Sequence, residues 1–305
     1  MGTPEFAQYS LKALVDNGYN IVAVVTMPDK PQGRGHKVQF SPVKTYALTQ
    51  DIPVLQPEKL KDPDFVEQLR SYNADLQIVV AFRMLPEVVW AMPPMGTFNL
   101  HASLLPQYRG AAPINWAVIN GEKQTGATTF FLKQEIDTGD MILQRSINIA
   151  DDENAGSVHD RLMVMGAQMV LDTTNLIALG QARRQPQPAL AAEELKPAPK
   201  IFRETCQIDF NKPAQQVHNF VRGLSPYPAA WCEATITNDD KQTVKIYKTS
   251  LSGITANAEP GTLLTDKKNY IRIACADQWI DIVELQLPNK KHMTAKELLN
   301  GIVNS

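Results

Sequence analysis

Thiols are scarce in this chain of 305 residues: Cys206, Cys232 and Cys275 stand far apart, are odd in number and form no C-x-x-C pair. A disulfide-built scaffold is excluded, and a reducing cytosol fits. The five histidines (His36, His101, His159, His218 and His292) are equally dispersed, and none belongs to an H-E-x-x-H spacing. No structural or catalytic metal is therefore expected. No apolar run approaches the roughly 18–20 residues that span a bilayer, and no secretory leader can be read. A cytoplasmic chain without membrane attachment is expected. Net charge is only −2, so no global field draws the protein onto nucleic acid. Any RNA contact has to come from local basic clusters. What is present is 44% apolar residues, enough for a packed core, and a length that allows one large domain or two ordinary ones.

Along the chain, strand and helix patterns alternate. Residues 7–17 place Ala7, Leu11, Leu14 and Val15 on one helical face and stop at Gly18. Ile21–Val25 is a continuous apolar run rich in β-branched residues, the pattern of a strand buried on both faces. Ser41 before Pro42, and Asp62 before Pro63, are cap and first-turn pairs that open helices reaching Gln50 and Tyr72. Further strands are predicted at 76–82 and 97–101, a short helix at 112–120, paired strands at 126–134 and 141–149, and a long helix at 157–179. This order predicts an α/β domain with a doubly wound, mostly parallel sheet over residues 1–182. Residues 183–207 read as a semi-extended linker, with Arg183, Arg184, Lys196, Lys200 and Arg203 among four prolines. From residue 208 to 305 a helix at 214–222 precedes short strands with turn residues between them, and a helix at 294–303 closes the chain. That pattern predicts a small β-barrel of the oligonucleotide-binding (OB-like) type. One chain carries every part, so a monomer is expected.

Chemistry concentrates where the strand at 97–101 ends. Asn99 and His101 are two apart, which in a strand puts both side chains on one face. They would project at the C-terminal end of the strand, where open α/β sheets build their sites. Downstream, Glu135-Ile136-Asp137-Thr138-Gly139-Asp140 is a second strand-to-turn junction carrying carboxylates. Taken singly, a strand-end Asn or His is most often a hydrogen-bonded structural group, and Asp-Thr-Gly can be an ordinary Asx turn. Taken together, an amide donor, an imidazole and a carboxylate suit acyl or formyl transfer. Asn99 would donate to an oxyanion at any pH. His101, as an imidazole, could move protons near neutrality. Asp137 would orient the ring and balance its charge. The amine acceptor is itself the nucleophile, so Ser103 is not expected to act as a catalytic serine.

Five segments carry a resemblance. Met1-Gly2-Thr3-Pro4-Glu5-Phe6, Pro31-Gln32-Gly33-Arg34-Gly35, Asn99-Leu100-His101-Ala102-Ser103-Leu104-Leu105-Pro106, Arg109-Gly110-Ala111-Ala112-Pro113-Ile114 and Asp137-Thr138-Gly139-Asp140 closely resemble the methionyl-tRNA formyltransferase family. The resemblance runs over nearly the whole chain. It implies transfer of the formyl group of 10-formyltetrahydrofolate to the amino group of methionyl initiator tRNA, with Asn99, His101 and Asp137 catalytic. It further implies folate contacts at Phe82, Met84, Leu85, Ser103, Leu104, Leu105, Pro106 and Asp140. For the RNA it implies a contact at Arg34 first, with His36 and Lys37 on the same loop of residues 28–37, and the basic linker adds Lys200 and Arg203 as expected phosphate contacts.

Two departures from the family pattern stand out. Members usually carry a short apolar strand before the Met-Gly-Thr-Pro-Glu-Phe run, and this chain begins with that run. The expectation is a slot in the sheet flanked by unpaired N–H and C=O groups, arising from a start codon assigned too late. The second departure is Ala81–Pro86, where members often have an extra residue and a glycine lining the folate pocket. The alternative functions are formylation of a small amine, hydrolysis of the formyl donor by water with the same three residues, and a non-catalytic RNA-binding protein that keeps the fold. The basic loop and the barrel speak against the small-amine enzymes.

Overall fold

Capping decides where two early helices begin. The Ser41 hydroxyl accepts from the Lys44 N–H at 3.1 Å, and the Asp62 carboxylate from the Asp64 N–H at 3.0 Å. Both satisfy otherwise orphaned donors, and the prolines that follow need no donor there. The structure, a computed structural model, describes residues 1–32, 37–236 and 241–303. Its contacts divide it into two compact units. The first comprises Met1–Gly110, Gly126–Ile147 and Asp160–Lys196; the second comprises Ala111–Thr125, Asn148–His159 and Pro197–Ser305. The stretch 183–207 is thus shared, its residues up to Lys196 in the first unit and the rest in the second.

In chain order the elements are α1 (Glu5–Asp16), β1 (Val24–Val25), β2 (Lys30–Gln32), β3 (Lys37–Gln39), α2 (Pro42–Thr49), β4 (Val54–Leu55), α3 (Pro63–Ser71), β5 (Gln77–Val80), α4 (Glu87–Trp90), β6 (Thr97–His101), α5 (Pro113–Ile119), β7 (Gln124–Phe131), β8 (Met141–Asn148) and α6 (Ala155–Ala178). The main sheet has the order β5-β6-β7-β8. β5 and β6 run parallel, with Val79 opposite Asn99, and β7 runs antiparallel to β6, with Thr128 opposite His101. Phe98 on β6 and Phe130 on β7 are fully buried. A second cluster (Val25, Leu55, Phe65, Val66, Leu69, Val79 and Val89) fills the space under α3 and α4.

β1 pairs only with β4, through Val24 and Val25. Among the described residues it makes no ladder with β5. Met1 and Gly2 lie between the two strands instead: the Gly2 N–H donates to the Val25 carbonyl at 3.0 Å and the Val80 N–H to the Met1 carbonyl at 3.0 Å. The Met1 ammonium donates to the Ile78 carbonyl at 2.6 Å, and its burial lowers its pKa from 8.0 to about 5. Beyond these two residues opens a cavity of about 530 Å³, lined by Leu11, Leu14, Val22, Ala23, Leu76 and Ile78 among others. This is the slot expected from the sequence. It explains why Ile21–Ala23, apolar as a strand should be, forms no ladder: a strand exists only where a neighbour accepts its hydrogen bonds.

The second unit continues with α7 (Ala214–Leu224), β9 (Ala230–Ala234), β10 (Gln242–Thr255), β11 (Leu263–Thr265), β12 (Ile271–Ala274), β13 (Gln278–Gln286), β14 (Met293–Thr294) and α8 (Ala295–Val303). The order is β11-β12-β13-β10-β9, with β14 on β13, and these strands all pair antiparallel. Register shifts along the long β10 mark bulges that curl the sheet. The result is an OB-like half-barrel around Val217, Val221, Ile246, Ile271, Ile280 and Leu285. Cys206, Cys232 and Cys275 are free and buried, and burial pushes the thiols of Cys232 and Cys275 up to about 12. They pack as small hydrophobes.

Candidate active site

β6 lies between two partners, so its last residues are fixed from both sides. Asn99 and His101 leave the same face of the strand. His101 is 7% exposed, and its Nε2 lies 2.8 Å from the Tyr108 carbonyl oxygen. A carbonyl can only accept, so Nε2 carries the hydrogen. In the neutral ring Nδ1 is then the lone-pair nitrogen. That atom faces Asp137 Oδ2 at 3.8 Å, too long for a hydrogen bond and close enough for the carboxylate to attract the ring once Nδ1 gains a proton. The same carboxylate oxygen accepts the Gly110 N–H at 3.2 Å. The Asn99 amide has no side-chain hydrogen bond among the described residues, which leaves its donors available to a ligand.

Two residues around the ring hold left-handed backbone. Tyr108 has φ +58° and Asp137 has φ +53°. Asp tolerates that region, whereas a bulky Tyr is seldom found there. The Asp137 turn also requires a glycine: a Cβ at Gly139 would stand 1.6 Å from the Phe131 carbonyl oxygen.

The expected folate positions fall into two sets. Met84 is 72% exposed, and Phe82 and Leu104 are half-buried, so these three present apolar surface. Leu85, Ser103, Leu105 and Pro106 are buried. The Ser103 hydroxyl donates to the Gln107 carbonyl at 2.7 Å, which engages it in holding the loop. Asp140 forms an ion pair with Lys133 at 2.8 Å. Gln187, which the sequence reading left inside the linker, donates through its amide nitrogen to the carbonyls of Asp137 at 2.7 Å and Gly139 at 3.0 Å. Its amide oxygen accepts from Arg109 Nη2 at 2.6 Å. The only local signal for it was its place between Pro186 and Pro188.

Arg34 and His36 lie outside the described residues, and Lys37 is described only as the first residue of β3, paired with Gln32. Lys200 and Arg203 line a cleft of about 680 Å³ in the second unit, together with Lys245, Phe202, Tyr227 and Trp231. Its described lining contains no carboxylate. Tyr227 is 83% exposed, and the Lys200 ammonium lies 5.3 Å from the centre of the Phe202 ring. The Trp231 indole N–H donates to the Arg203 carbonyl at 2.9 Å, fixing the floor. Among the described residues no group of three or more His, Cys, Asp or Glu is placed to hold a metal ion. No described helix is long and apolar enough to cross a membrane.

Comparison with known proteins gives the chain its family. A family model described as formyl transferase matches residues 1–174, and one described as the formyl transferase C-terminal domain matches residues 200–303. The chain belongs to the formyl transferase family. Within it, the curated relatives are methionyl-tRNA formyltransferases. That of Bacteroides fragilis is 58% identical over 302 residues, covering 99% of this chain and 93% of its own. That of Flavobacterium johnsoniae is 51% identical over 305 residues, covering 100% and 96%. Among solved structures, WlaRD, a sugar 3N-formyl transferase in the presence of dTDP and 5-N-formyl-THF, gives a TM-score of 0.65 at 19% identity over 95% of this chain and 97% of that one. HypX from Aquifex aeolicus, in complex with tetrahydrofolic acid, gives 0.59 at 19% identity over 85% and 44%. These two likenesses establish the fold.

Proposed function

We propose that this chain transfers the formyl group of 10-formyltetrahydrofolate to the amino group of methionyl initiator tRNA, with Asn99, His101 and Asp137 as its catalytic residues. The observation that carries the mechanism is the bond from His101 Nε2 to the Tyr108 carbonyl, which leaves Nδ1 free to take a proton beside Asp137. The amine nitrogen attacks the formyl carbon and a new C–N bond forms. Negative charge gathers on the formyl oxygen, where the Asn99 amide donates; one such donor is worth roughly 10²–10³ in rate. The amine proton passes to His101 Nδ1, and Asp137 balances the charge on the ring. The bond from the formyl carbon to the donor nitrogen then breaks. That nitrogen takes the proton back from Nδ1, and the ring returns to neutral. Nε2 keeps its hydrogen throughout, so the imidazole need not turn. The protein itself forms no covalent bond, and no metal ion is called on.

Phe82, Met84 and Leu104 would meet the folate, with Leu85, Ser103, Leu105 and Pro106 as backing and Asp140 at the turn. The exposed Met84 and the uncovered parts of Phe82 and Leu104 offer apolar surface that suits a flat heterocycle. Residues 1–182 act as the catalytic domain and 208–305 as the RNA-binding domain, joined through 183–207. Lys200 and Arg203 contact RNA phosphates from the cleft they share with exposed aromatics. Arg34, His36 and Lys37 are carried over from the family pattern. The enzyme works in the cytoplasm, as a monomer. The test is to incubate the protein with labelled formyl donor and methionyl initiator tRNA, elongator tRNA or small amines. Label is expected on the initiator. Label only on a small amine, or only in formate, would overturn the proposal.

A further inference from the structure

The stretch 185–196 is fastened along its length to the two segments that hold His101 and Asp137. At its start, Gln185 and Met141 exchange backbone hydrogen bonds at 2.7 and 2.9 Å. Next, Gln187 grips the carbonyls of Asp137 and Gly139 and the Arg109 guanidinium. At its end, the Gln107 amide donates to the Glu194 carbonyl at 2.8 Å and accepts the Lys196 N–H at 2.8 Å. The Lys196 carbonyl accepts the Tyr108 N–H at 2.7 Å. The two faces of Tyr108 therefore do different work: its N–H binds the stretch and its carbonyl binds His101 Nε2. Tyr108 and Asp137 are also the two residues near the ring with left-handed backbone. Such conformations persist only where the surroundings over-determine them, and they gather at functional sites. Here the surroundings that determine both are the same stretch.

We infer that residues 185–196 are a positioning strap for the catalytic pair, in which Gln187 sets the Asp137 carboxylate against His101 Nδ1. This rests on the proposed roles of His101 and Asp137. Gln187 bonds to Asp137, Gly139 and Arg109 and, among the described residues, not to the His101 ring, so it acts through Asp137. Loss of its two N–H donors frees the turn, and a carboxylate that drifts by about an ångström can lower turnover up to a hundredfold.

The full-length chain is compared with Gln187→Leu, Gln187→Glu, Asp137→Asn and the double variant Gln187→Leu/Asp137→Asn. The readouts are kcat, KM for each substrate, the pH profile of kcat and the thermal midpoint. Gln187→Leu should lower kcat about ten- to a hundredfold, leave both KM values within about twofold, and move the acid limb of the profile. Gln187→Glu keeps the acceptor for Arg109 but sets a carboxylate against two carbonyls, so it should fare no better. The double variant should cost no more than Asp137→Asn alone, because nothing is left to position. Unchanged kcat and pH profile in Gln187→Leu, fully additive losses in the double variant, or losses that merely track the unfolded fraction would each overturn the strap. Full activity in Asp137→Asn would overturn the catalytic reading and the strap together. A crippled Asp137→Asn beside a normal Gln187→Leu would overturn the strap alone.

Discussion

β1 and β6 are both short strands of the first unit that the sequence predicts, β1 from the apolar run Ile21–Val25 and β6 from residues 97–101, yet they end very differently. β6 has a partner on each side over its length, and its last residue is tied onward to Tyr108 and faces Asp137. β1 keeps two paired residues and borders a cavity of about 530 Å³. Both belong to the first unit. The contrast separates two quantities that are often conflated. The proposed chemistry sits at the β6 end, where hydrogen bonds hold the His101 ring and the Asp137 carboxylate while the Asn99 amide and His101 Nδ1 stay open. At the β1 edge, by contrast, apolar side chains such as Val22 and Ala23 border open space, and stability is expected to be short there.

The sharpest way to break that contrast is at the β6 end. His101→Ala and Asp137→Ala should each lower kcat by at least about a hundredfold. The thermal midpoint should move little, because neither side chain fills the main core. Steady-state kinetics with calorimetry on the same samples decides the matter. Near-normal turnover in either variant would remove that residue from the mechanism.

The opposite manipulation acts at β1. Placing five or six β-branched residues ahead of Met1 offers β1 and β5 a shared neighbour and fills the slot. Burying that much apolar surface should raise the thermal midpoint by at least about 5 °C, with kcat unchanged. The same change moves the ammonium out of the interior. In the present chain the Met1 ammonium titrates near 5 when folded, against 8.0 ordinarily. Between those values the unfolded chain binds a proton that the folded chain does not. Stability is therefore full above about pH 8 and is lost as the pH falls toward about 5. The lengthened chain should lose that slope. An unaltered midpoint and an unaltered slope would mean that the slot is not where stability is short.

A smaller effect is expected from the cleft of the second unit. Lys200→Ala and Arg203→Ala together should raise KM for the tRNA about tenfold, flatten its salt dependence and leave KM for the folate donor alone. Equal effects on both substrates would contradict a role in RNA binding. This pair serves as a control for the comparison, since it should disturb neither kcat nor the midpoint.

Much of this was legible because the signals are local. Asn99 and His101 declare themselves by spacing two apart at a strand end, Asp137 by its turn, and the cap pairs at Ser41 and Asp62 by hydrogen bonds that span two or three residues. The slot was legible too, through the family pattern at Met1–Phe6. What stayed hidden depends on where the fold carries distant carbonyls. Gln187 reads as one polar residue in a proline-rich stretch, and its meaning appears only when the Asp137 turn, 50 residues away, is brought to it. Tyr108 gives no local sign of a left-handed backbone. Ile21–Ala23 was read as strand from its side chains alone, but ladders are made by partners, which composition cannot supply.

The finest discrimination comes from a histidine of the second unit. His218 on α7 places Nε2 3.3 Å from the Asp151 carbonyl and Nδ1 3.0 Å from the Thr249 hydroxyl. Burial lowers its pKa from 6.5, and Arg222 adds to that, while the Asp151 carbonyl, Asp152 and the Asp151 carboxylate pull the other way. The neutral ring is satisfied as it stands: Nε2 donates to the carbonyl and Nδ1 accepts from the hydroxyl. Unfolding restores an ordinary imidazole, so the unfolded state takes up a proton first as the pH falls. The stability that His218 contributes is thus present above about pH 6.5 and declines as the pH drops through that value. In the lengthened chain, with the Met1 slope gone, this decline should be what remains, and His218→Gln should flatten it further. Denaturant midpoints measured from pH 5 to 8 on the three chains separate the two titrations. A decline that survives His218→Gln unchanged would assign it to other groups and return the difference between β1 and β6 to packing alone.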